Sequence, residues 1–209
     1  MQQREPMQVT KLFLASSNPG KLREYLELAR GSGVAIELLP RFGEFPSFEE
    51  SAPTFAENSA GKALHYSRFT DEAVLADDSG LVVPALGGAP GVHSARYAGA
   101  GATDGDRVRK LLREMHGKVG AERRSRFVCV TAVARAGRAI AVVSDLANGV
   151  ITEEPRGAGG FGYDPVFMFG ELGRTCAELT SDQKNAYSHR GKSFRKLLYL
   201  NALGIVAPS

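Results

Sequence analysis

Tryptophan is absent from this 209-residue chain, which also has only two cysteines, four histidines and no long apolar run. Two cysteines, one of them inside an apolar stretch, do not supply the disulfide framework of a small secreted domain. No segment approaches the ~20 apolar residues that a membrane-spanning helix requires. The first residues, MQQREPMQVTK, have no apolar signal core. We therefore expect a cytoplasmic protein with reduced thiols and no membrane partner.

Positive and negative side chains nearly balance in number, which gives a formal net charge of +3. That value argues against a nucleic-acid partner, and the densest basic cluster, Arg123, Arg124 and Arg126, is expected to be the solvated border of an edge strand. Ample apolar content and this length suit one domain or two tightly joined lobes. We predict a loose N-terminal extension at 1–9 and a single two-lobed domain at 10–209.

Local patterns predict alternating strands and helices. Helix N-termini are indicated by three pairs of residues: Asn18 with Pro19, Thr54 with Glu57, and Thr103 with Asp106. Residues 127–134 and 139–147 are typical of a hairpin, and Asn148-Gly149 indicates a further turn. Crossover helices combined with hairpins predict an α/β protein with a mixed sheet.

The segment Asp77-Asp78-Ser79-Gly80 follows an apolar strand predicted at 73–76. Adjacent carboxylates repel each other, and their burial is costly unless a cation or hydrogen-bond donors lie nearby. Because a strand points neighbouring side chains to opposite faces, only one of the two is expected to face a given site. A Mg²⁺ ligand is one interpretation, and a turn with local hydrogen bonds to Asp is the other.

Several further segments carry cations, glycines or carboxylates. A glycine-dense stretch, GAGGFGYDP at 157–165, offers backbone N–H groups and aromatic faces, although a flexible loop would show the same composition. The segment SHRGK at 188–192 places cations where a helix begins, which favours either an anion site or a solvated basic end. Lys21, Lys62 and the Glu49-Glu50 pair add to this set. Together these groups are what phosphoryl or nucleotidyl chemistry requires.

Six segments occur in one order: SSNPGK, ENSAGKA, LADDSGL, LGGAPGVHSARYAG, GGFGYDPVF and SHRGK. This combination resembles the inosine/xanthosine triphosphate pyrophosphatase family, over roughly residues 11 to 203. The resemblance implies Mg²⁺-dependent hydrolysis of dITP, ITP and XTP to the monophosphate and pyrophosphate, usually by a homodimer. It also implies an elongated mixed sheet flanked by helices, with two lobes and an active-site cleft between them. Asp145 departs from the pattern, because the family usually has a glycine there.

The resemblance also assigns roles to individual residues. It implies that Asp78 holds Mg²⁺ and acts as general base, and that Glu50 is a second metal ligand, with Glu49 as the alternative. Phosphate or substrate contacts are implied for Ser16, Ser17, Asn18, Pro19, Gly20, Lys21, Lys62 and Ser79. A nucleotide pocket is implied for Phe161, Gly162, Tyr163 and Asp164, and base recognition for Lys184, His189 and Arg190.

Two alternatives remain open from the sequence. A Maf-type nucleotide pyrophosphatase would prefer other bases, but that family has a Ser-Pro-Arg-Arg signature after its first strand, where this chain has SSNPGK. A non-catalytic nucleotide-binding module would be expected to lack Asp78 or the lysines, all of which are present. The alternatives are distinguished by whether the chain releases pyrophosphate from nucleoside triphosphates, and by which base the preferred triphosphate carries.

Overall fold

The computed structural model describes residues 9–202, which form a seven-stranded mixed sheet and five α-helices. The strands are β1 (Lys11–Leu14), β2 (Ala35–Leu38), β3 (Val74–Val82), β4 (Arg124–Arg135), β5 (Arg138–Ile151), β6 (Phe167–Phe169) and β7 (Arg174–Thr175). The helices are α1 (Pro19–Ala29), α2 (Phe55–Tyr66), α3 (Asp104–Glu114), α4 (Ser181–Tyr187) and α5 (His189–Ala202). No helix within the described residues is long and apolar enough to cross a membrane.

The sheet has the order β2-β1-β3-β4-β5-β6-β7. β1 pairs in parallel with β2 and with β3, whereas β5, β6 and β7 are paired antiparallel. The predicted α/β class with a mixed sheet is therefore confirmed. The described residues fall into two compact units, of which the first comprises 9–78, Cys129–Asp145 and 190–202, and the second Ser79–Val128 and Leu146–His189.

The first unit has an apolar cluster for each face of its strands. One cluster combines Leu14 and Leu75 with Tyr25 of α1 and Phe194 of α5. The other combines neighbouring strand residues, such as Ala76, with Ala63 and Tyr66 of α2, among others. Since strand residues alternate between faces, α1 and α5 cover one face of the first unit and α2 covers the other.

The second unit has its own core, in which α3 packs against the strands. Val108 and Leu111 of α3 and Met115, which follows the helix as its C-cap, are buried together with Phe127 and Phe167. The predicted start of this helix is confirmed, because Thr103 and Asp106 form a capping box. The predicted starts of the other two helices are confirmed as well, with Asn18 capping α1 and Thr54 capping α2.

Asn148-Gly149 is not the turn that the sequence predicts, because both residues lie inside β5. A Cβ atom at Gly149 would lie 2.6 Å from the carbonyl oxygen of Met168 and 2.6 Å from the ring of Phe167. Glycine is present here because β6 approaches the backbone of β5 closely. The sequence alone does not distinguish a glycine that packing requires from one that marks a turn.

The basic cluster at 123–126 does not border an edge strand, because β4 lies between β3 and β5. The guanidinium of Arg123 instead donates hydrogen bonds to four backbone carbonyls, those of Met115, Lys118, Ile151 and Thr152. Arg124 and Arg126 are exposed, as expected of solvated charges. The prediction was wrong for the strand and for Arg123.

The predicted loose extension at 1–9 lies outside the described residues except for Val9. Val9 is buried, and it exchanges two hydrogen bonds with the side chain of Asn201, which donates to the Val9 carbonyl and accepts from its N–H, both at 2.8 Å. The prediction is therefore wrong for Val9, whose partner Asn201 lies 192 residues away and is not indicated by the local sequence.

Candidate active site

The acidic pair Asp77-Asp78 lies inside β3, which continues without a break from Val74 to Val82. The predicted strand end and the alternative of a turn are therefore both wrong. The alternation of side chains along a strand separates the two carboxylates. Asp77 meets Lys21 and Arg190, which belong to α1 and α5, whereas Asp78 meets Asn58 of α2.

Asp77 is fully buried between two cations. Its Oδ1 lies 3.0 Å from Nζ of Lys21, and its Oδ2 accepts hydrogen bonds from Nη2 and Nε of Arg190 at 3.0 and 3.3 Å. Arg190 also donates from Nη1 to Glu24 of α1. Burial alone would raise the pKa of Asp77, but Lys21 and Arg190 hold it well below its usual range. Asp77 is thus ionised at neutral pH, and its negative charge neutralises and orients Lys21 and Arg190.

Asp78 has a different electrostatic environment. Its Oδ2 accepts a hydrogen bond from the Asn58 side-chain amide at 3.0 Å, and only 6% of the residue is exposed. Burial and the neighbouring Glu50 carboxylate raise the pKa of Asp78 to about 6, against the opposing effect of Lys21. Asp78 therefore binds a proton more readily than Asp77 does.

Glu50 lies in the segment that precedes α2, and Lys62 of α2 holds it. Nζ of Lys62 donates to Oε1 of Glu50 at 2.5 Å. Burial would lower the pKa of Lys62, but the Glu50 carboxylate raises it above its ordinary value. The charges of Glu50 and Lys62 therefore lie close enough to interact with each other and with Asp78. The structure thus brings together three of the residues to which the family resemblance assigns a role.

The carboxylates of Glu50 and Asp78 fit one kind of metal site. Within residues 9–202 no group of three or more His, Cys, Asp or Glu side chains is arranged to hold a metal ion. Mg²⁺, however, is commonly bound by one or two carboxylates together with water and substrate phosphates. The hard oxygen donors of Glu50 and Asp78 suit that mode, in which water and substrate phosphates would complete the coordination.

The SSNPGK turn is closed by its own side chains. Oδ1 of Asn18 accepts hydrogen bonds from the N–H groups of Gly20 and Lys21 at 2.8 and 3.1 Å, and the hydroxyl of Ser16 accepts from Asn18 N–H at 3.1 Å. Asn18 therefore caps α1, with Pro19 as the first residue of the helix. The Lys21 ammonium group also donates to the carbonyl of Asp77 at 3.1 Å, so the turn is attached to β3 beside the acidic pair.

A second set of predicted residues comes together in the second unit. Asp164 accepts hydrogen bonds on Oδ2 from the Phe161 N–H at 2.7 Å and from the buried ammonium group of Lys184. The same ammonium group lies 5.0 Å from the centre of the Phe161 ring. An aromatic face next to an oriented cation is a suitable surface for a purine base with carbonyl acceptors.

The loop that carries Phe161 is anchored at the two following residues. Gly162, with φ of 64°, donates from its N–H to Oδ2 of Asp104 at 2.7 Å, and the buried Tyr163 donates from its hydroxyl to the carbonyl of Ser94 at 2.9 Å. A Cβ atom at Gly160 would lie 2.0 Å from Oδ2 of Asp164. The glycines thus permit a close-packed loop, and the alternative of a flexible loop is wrong.

His189 and Arg190 are sequence neighbours with different surroundings. The His189 ring stacks on Phe127, with centroids 4.7 Å apart and planes 12° apart. Arg190 is 2% exposed, and its guanidinium is bound to Asp77 and Glu24. The alternative of a solvated basic end is therefore wrong at these two positions, and the surroundings of Arg190 favour a structural role over contact with a base.

Comparison with known proteins agrees with these observations. The model of the Ham1 family matches residues 12–200. The chain belongs to the Ham1 family. Among its relatives, the dITP/XTP pyrophosphatase of Geobacillus kaustophilus is 50% identical over 187 residues, which cover 90% of this chain and 92% of that protein. The dITP/XTP pyrophosphatase of Gloeobacter violaceus is 48% identical over 189 residues, with the same coverage of 90% and 92%.

A solved structure of a HAM1 protein from Coxiella burnetii matches with a TM-score of 0.81 and 39% sequence identity, covering 93% of this chain and all of that one. The resemblance predicted from six ordered segments is therefore confirmed. Sequence reasoning did not find three residues of this Ham1-family chain that contact the candidate site: Glu24, Asn58 and Phe127. Asn58 could have been noticed, because it lies one helical turn before Lys62 in the segment ENSAGKA.

Proposed function

We infer that this chain hydrolyses the deaminated purine nucleoside triphosphates dITP, ITP and XTP to the monophosphate and pyrophosphate, with Mg²⁺ as cofactor. The observation that carries this inference is the position of Asp78 in β3, next to Glu50 and Lys62 and away from the cations that neutralise Asp77. The names of the Ham1-family relatives support the same reaction.

Contacts with the phosphates are assigned to Asp78 and the residues around it. Mg²⁺, held by Glu50 and Asp78, would neutralise part of the triphosphate charge when bound. Lys21 and Lys62 supply further positive charge, and Ser16 to Gly20 form the turn that leads into α1 and the first two residues of that helix. Asp78 accepts the proton of the water that attacks the α-phosphate, and Asn58 keeps the carboxylate in a defined orientation. Ser79, the next residue of β3, is assigned a substrate contact.

Contacts with the base are assigned to Phe161 and the residues around it. Phe161 offers its ring for stacking, Asp164 orients Lys184, and Gly162 and Tyr163 hold the loop in shape. A 6-oxo purine accepts a hydrogen bond where adenine donates, so donors on Lys184 and His189 would leave adenine with unmatched groups. Arg190 acts indirectly in this proposal, by holding Asp77.

The proposal also includes a homodimer in the cytoplasm, as is implied by the family resemblance. Sedimentation of the purified chain should give twice the mass of the monomer. A monomer at micromolar concentration would remove the dimer from the proposal without affecting the chemistry.

A substrate panel tests the reaction. Purified protein with Mg²⁺ is given ITP, dITP, XTP, GTP, ATP and modified pyrimidine triphosphates, and pyrophosphate and orthophosphate are measured separately. We expect pyrophosphate as the first product, with kcat/KM for ITP, dITP or XTP about 100-fold or more above that for ATP, since a mismatched buried donor costs that much or more. GTP has the same 6-oxo group, so any preference for ITP over GTP would have to come from the 2-amino group of guanine.

Two results would contradict the proposal. Orthophosphate as the first product would mean cleavage at another bond. Faster turnover of modified pyrimidine triphosphates than of ITP would favour the Maf-type specificity. Addition of excess EDTA should abolish pyrophosphate release, and Mg²⁺ should restore it.

A further inference from the structure

Asn58 is a buried polar residue of α2 that contacts Asp78 and is assigned no contact with the substrate in the proposed reaction. It is 1% exposed, and its side chain makes three hydrogen bonds. Oδ1 accepts from Ala52 N–H at 3.0 Å, and Nδ2 donates to the Ala52 carbonyl at 3.3 Å and to Oδ2 of Asp78 at 3.0 Å. One amide thus connects a loop, a helix and a strand.

The orientation of this amide is determined by its partners. A backbone N–H can only donate, so the atom that faces Ala52 N–H must be the oxygen of Asn58. The NH₂ group must then face the Asp78 carboxylate, which can only accept when ionised. Asparagine is the side chain that satisfies both requirements, whereas aspartate could serve Ala52 N–H but not an ionised Asp78.

The segment that carries Glu50 is held on both sides by α2. On the N-terminal side, Phe48 N–H donates to the Tyr66 hydroxyl at 3.2 Å, and the Phe48 ring lies where a Cβ of Gly61 would be, at 2.6 Å. On the C-terminal side, Ala52 is held by Asn58. Glu50 lies midway between these two anchors.

The same helix therefore positions both carboxylates. Asn58 and Lys62 are four residues apart on α2 and share one face; Asn58 contacts Asp78, and Lys62 contacts Glu50. We propose that Asn58 is a positioning residue, which couples the Glu50 segment to Asp78 so that both carboxylates are presented to one divalent cation. This inference rests on the proposed function for the role of the two carboxylates, and it adds the residue that holds them together.

Two variants separate the two connections of Asn58. Asn58→Leu keeps a similar side-chain shape and removes all three hydrogen bonds. Asn58→Asp keeps an acceptor for Ala52 N–H and removes the donor to Asp78, together with the longer hydrogen bond to the Ala52 carbonyl. The matched control is Ser59→Ala, because Ser59 is the next buried polar residue of α2 and donates to the Ala76 carbonyl of β3 at 3.1 Å, not to a carboxylate.

Three measurements apply to each variant: amide exchange at Ala52, binding of Mn²⁺ alone followed by electron paramagnetic resonance, and the Mg²⁺ dependence of turnover. For Asn58→Leu we expect Ala52 exchange at least tenfold faster, Mn²⁺ binding at least fivefold weaker, and a Mg²⁺ half-saturation concentration raised about tenfold or more. For Asn58→Asp we expect Ala52 exchange within about twofold of wild type and kcat at saturating Mg²⁺ lowered about tenfold or more.

Ser59→Ala should leave all three measurements within about twofold of wild type. The inference is overturned if Asn58→Leu binds Mn²⁺ like wild type, or if Asn58→Asp keeps the wild-type kcat. Loss of Mn²⁺ binding in Ser59→Ala equal to that in Asn58→Leu would also overturn it, because the effect would then be general destabilisation. Ala52 exchange and Mn²⁺ binding do not depend on the substrate, so failure of the wild type to release pyrophosphate from ITP would contradict the proposed function and leave this test intact.

Discussion

Asp77 and Asp78 show how far the environment separates two identical residues that adjoin in sequence. Burial and the Glu50 carboxylate raise the pKa of Asp78 to about 6, whereas two cations overcome burial and lower that of Asp77. Carboxylates whose environments differ in this way commonly have different roles at an active site. Here the alternation of one strand produces the difference, so that Asp77 holds cations and Asp78 is available for chemistry.

Replacement of Asp78 by asparagine tests this division at the residue scale. Asp78→Asn keeps the size of the side chain and removes both the proposed base and a proposed metal-binding oxygen, so we expect kcat for ITP to fall about 100-fold or more. Nucleotide binding, measured by calorimetry in Ca²⁺ or without metal, should persist. The control is Asp71→Asn, an exposed aspartate ahead of β3, which should keep wild-type kcat. Activity of Asp78→Asn within threefold of wild type would exclude the assigned role.

At the scale of secondary-structure elements, Arg190 joins α5 to two other elements. Its guanidinium contacts Glu24 of α1 and Asp77 of β3, and the Lys21 ammonium group of α1 contacts Asp77 from another direction. Removal of one partner from such a buried arrangement leaves uncompensated charge in a medium that solvates it poorly. In addition to their apolar contacts, α5 and α1 therefore depend on Arg190 for their position on this face of the first unit.

Arg190→Met should therefore be strongly destabilising, by about 3–5 kcal/mol of unfolding free energy. The matched control is Lys11→Met, which breaks an exposed ion pair with Glu37 at 2.9 Å and should cost about 0–1 kcal/mol. Urea unfolding followed by circular dichroism measures both. If Arg190→Met lost less than about 1 kcal/mol, the cluster would not stabilise the fold in the way described.

Gly149 is a second position at which element packing decides the residue. Gly149→Ala would place a methyl group 2.6 Å from the Met168 carbonyl oxygen, so β5 and β6 would have to separate locally. We expect a loss of about 1–3 kcal/mol. Gly170→Ala is the control, since a Cβ there meets nothing within 4 Å and the residue has no positive φ. Equal stability of the two alanine variants would show that β6 adjusts without cost.

For the whole molecule, the features that depend on local sequence were predictable. The caps of α1, α2 and α3 and the α/β class follow from short patterns, and the family follows from six segments in order. The partners of the site residues do not follow from such patterns: Arg190 is 113 residues from Asp77, and the Lys21 ammonium group reaches a carbonyl 56 residues away. The family resemblance implies base recognition for Arg190, and a cation at a helix start does not reveal the distant carboxylate of Asp77 that it contacts.

The continuity of three strands leads to a prediction about unfolding. β3, β4 and β5 each begin in one unit and end in the other, so a unit that unfolds alone would break strands that the other unit needs. We therefore expect both units to unfold in a single transition, as small domains commonly do. Each unit contains one buried cysteine that can report on it, Cys129 in the first and Cys176 in the second.

Thiol labelling in urea measures this directly. Burial raises the pKa of Cys129 to about 12, so its thiol should be inert in the native protein and become reactive when unfolding restores a pKa near 8.5. Cys176, which is 3% exposed, should be protected by burial alone. Cys176→Ala leaves only the Cys129 thiol and Cys129→Ala leaves only that of Cys176, so each variant reports on one unit. After correction for the stability of each variant by circular dichroism, the labelling midpoints should coincide with global unfolding within about 0.3 M urea. Labelling of either cysteine well below the global midpoint would show that its unit opens independently, and that three continuous strands are not enough to couple the two cores.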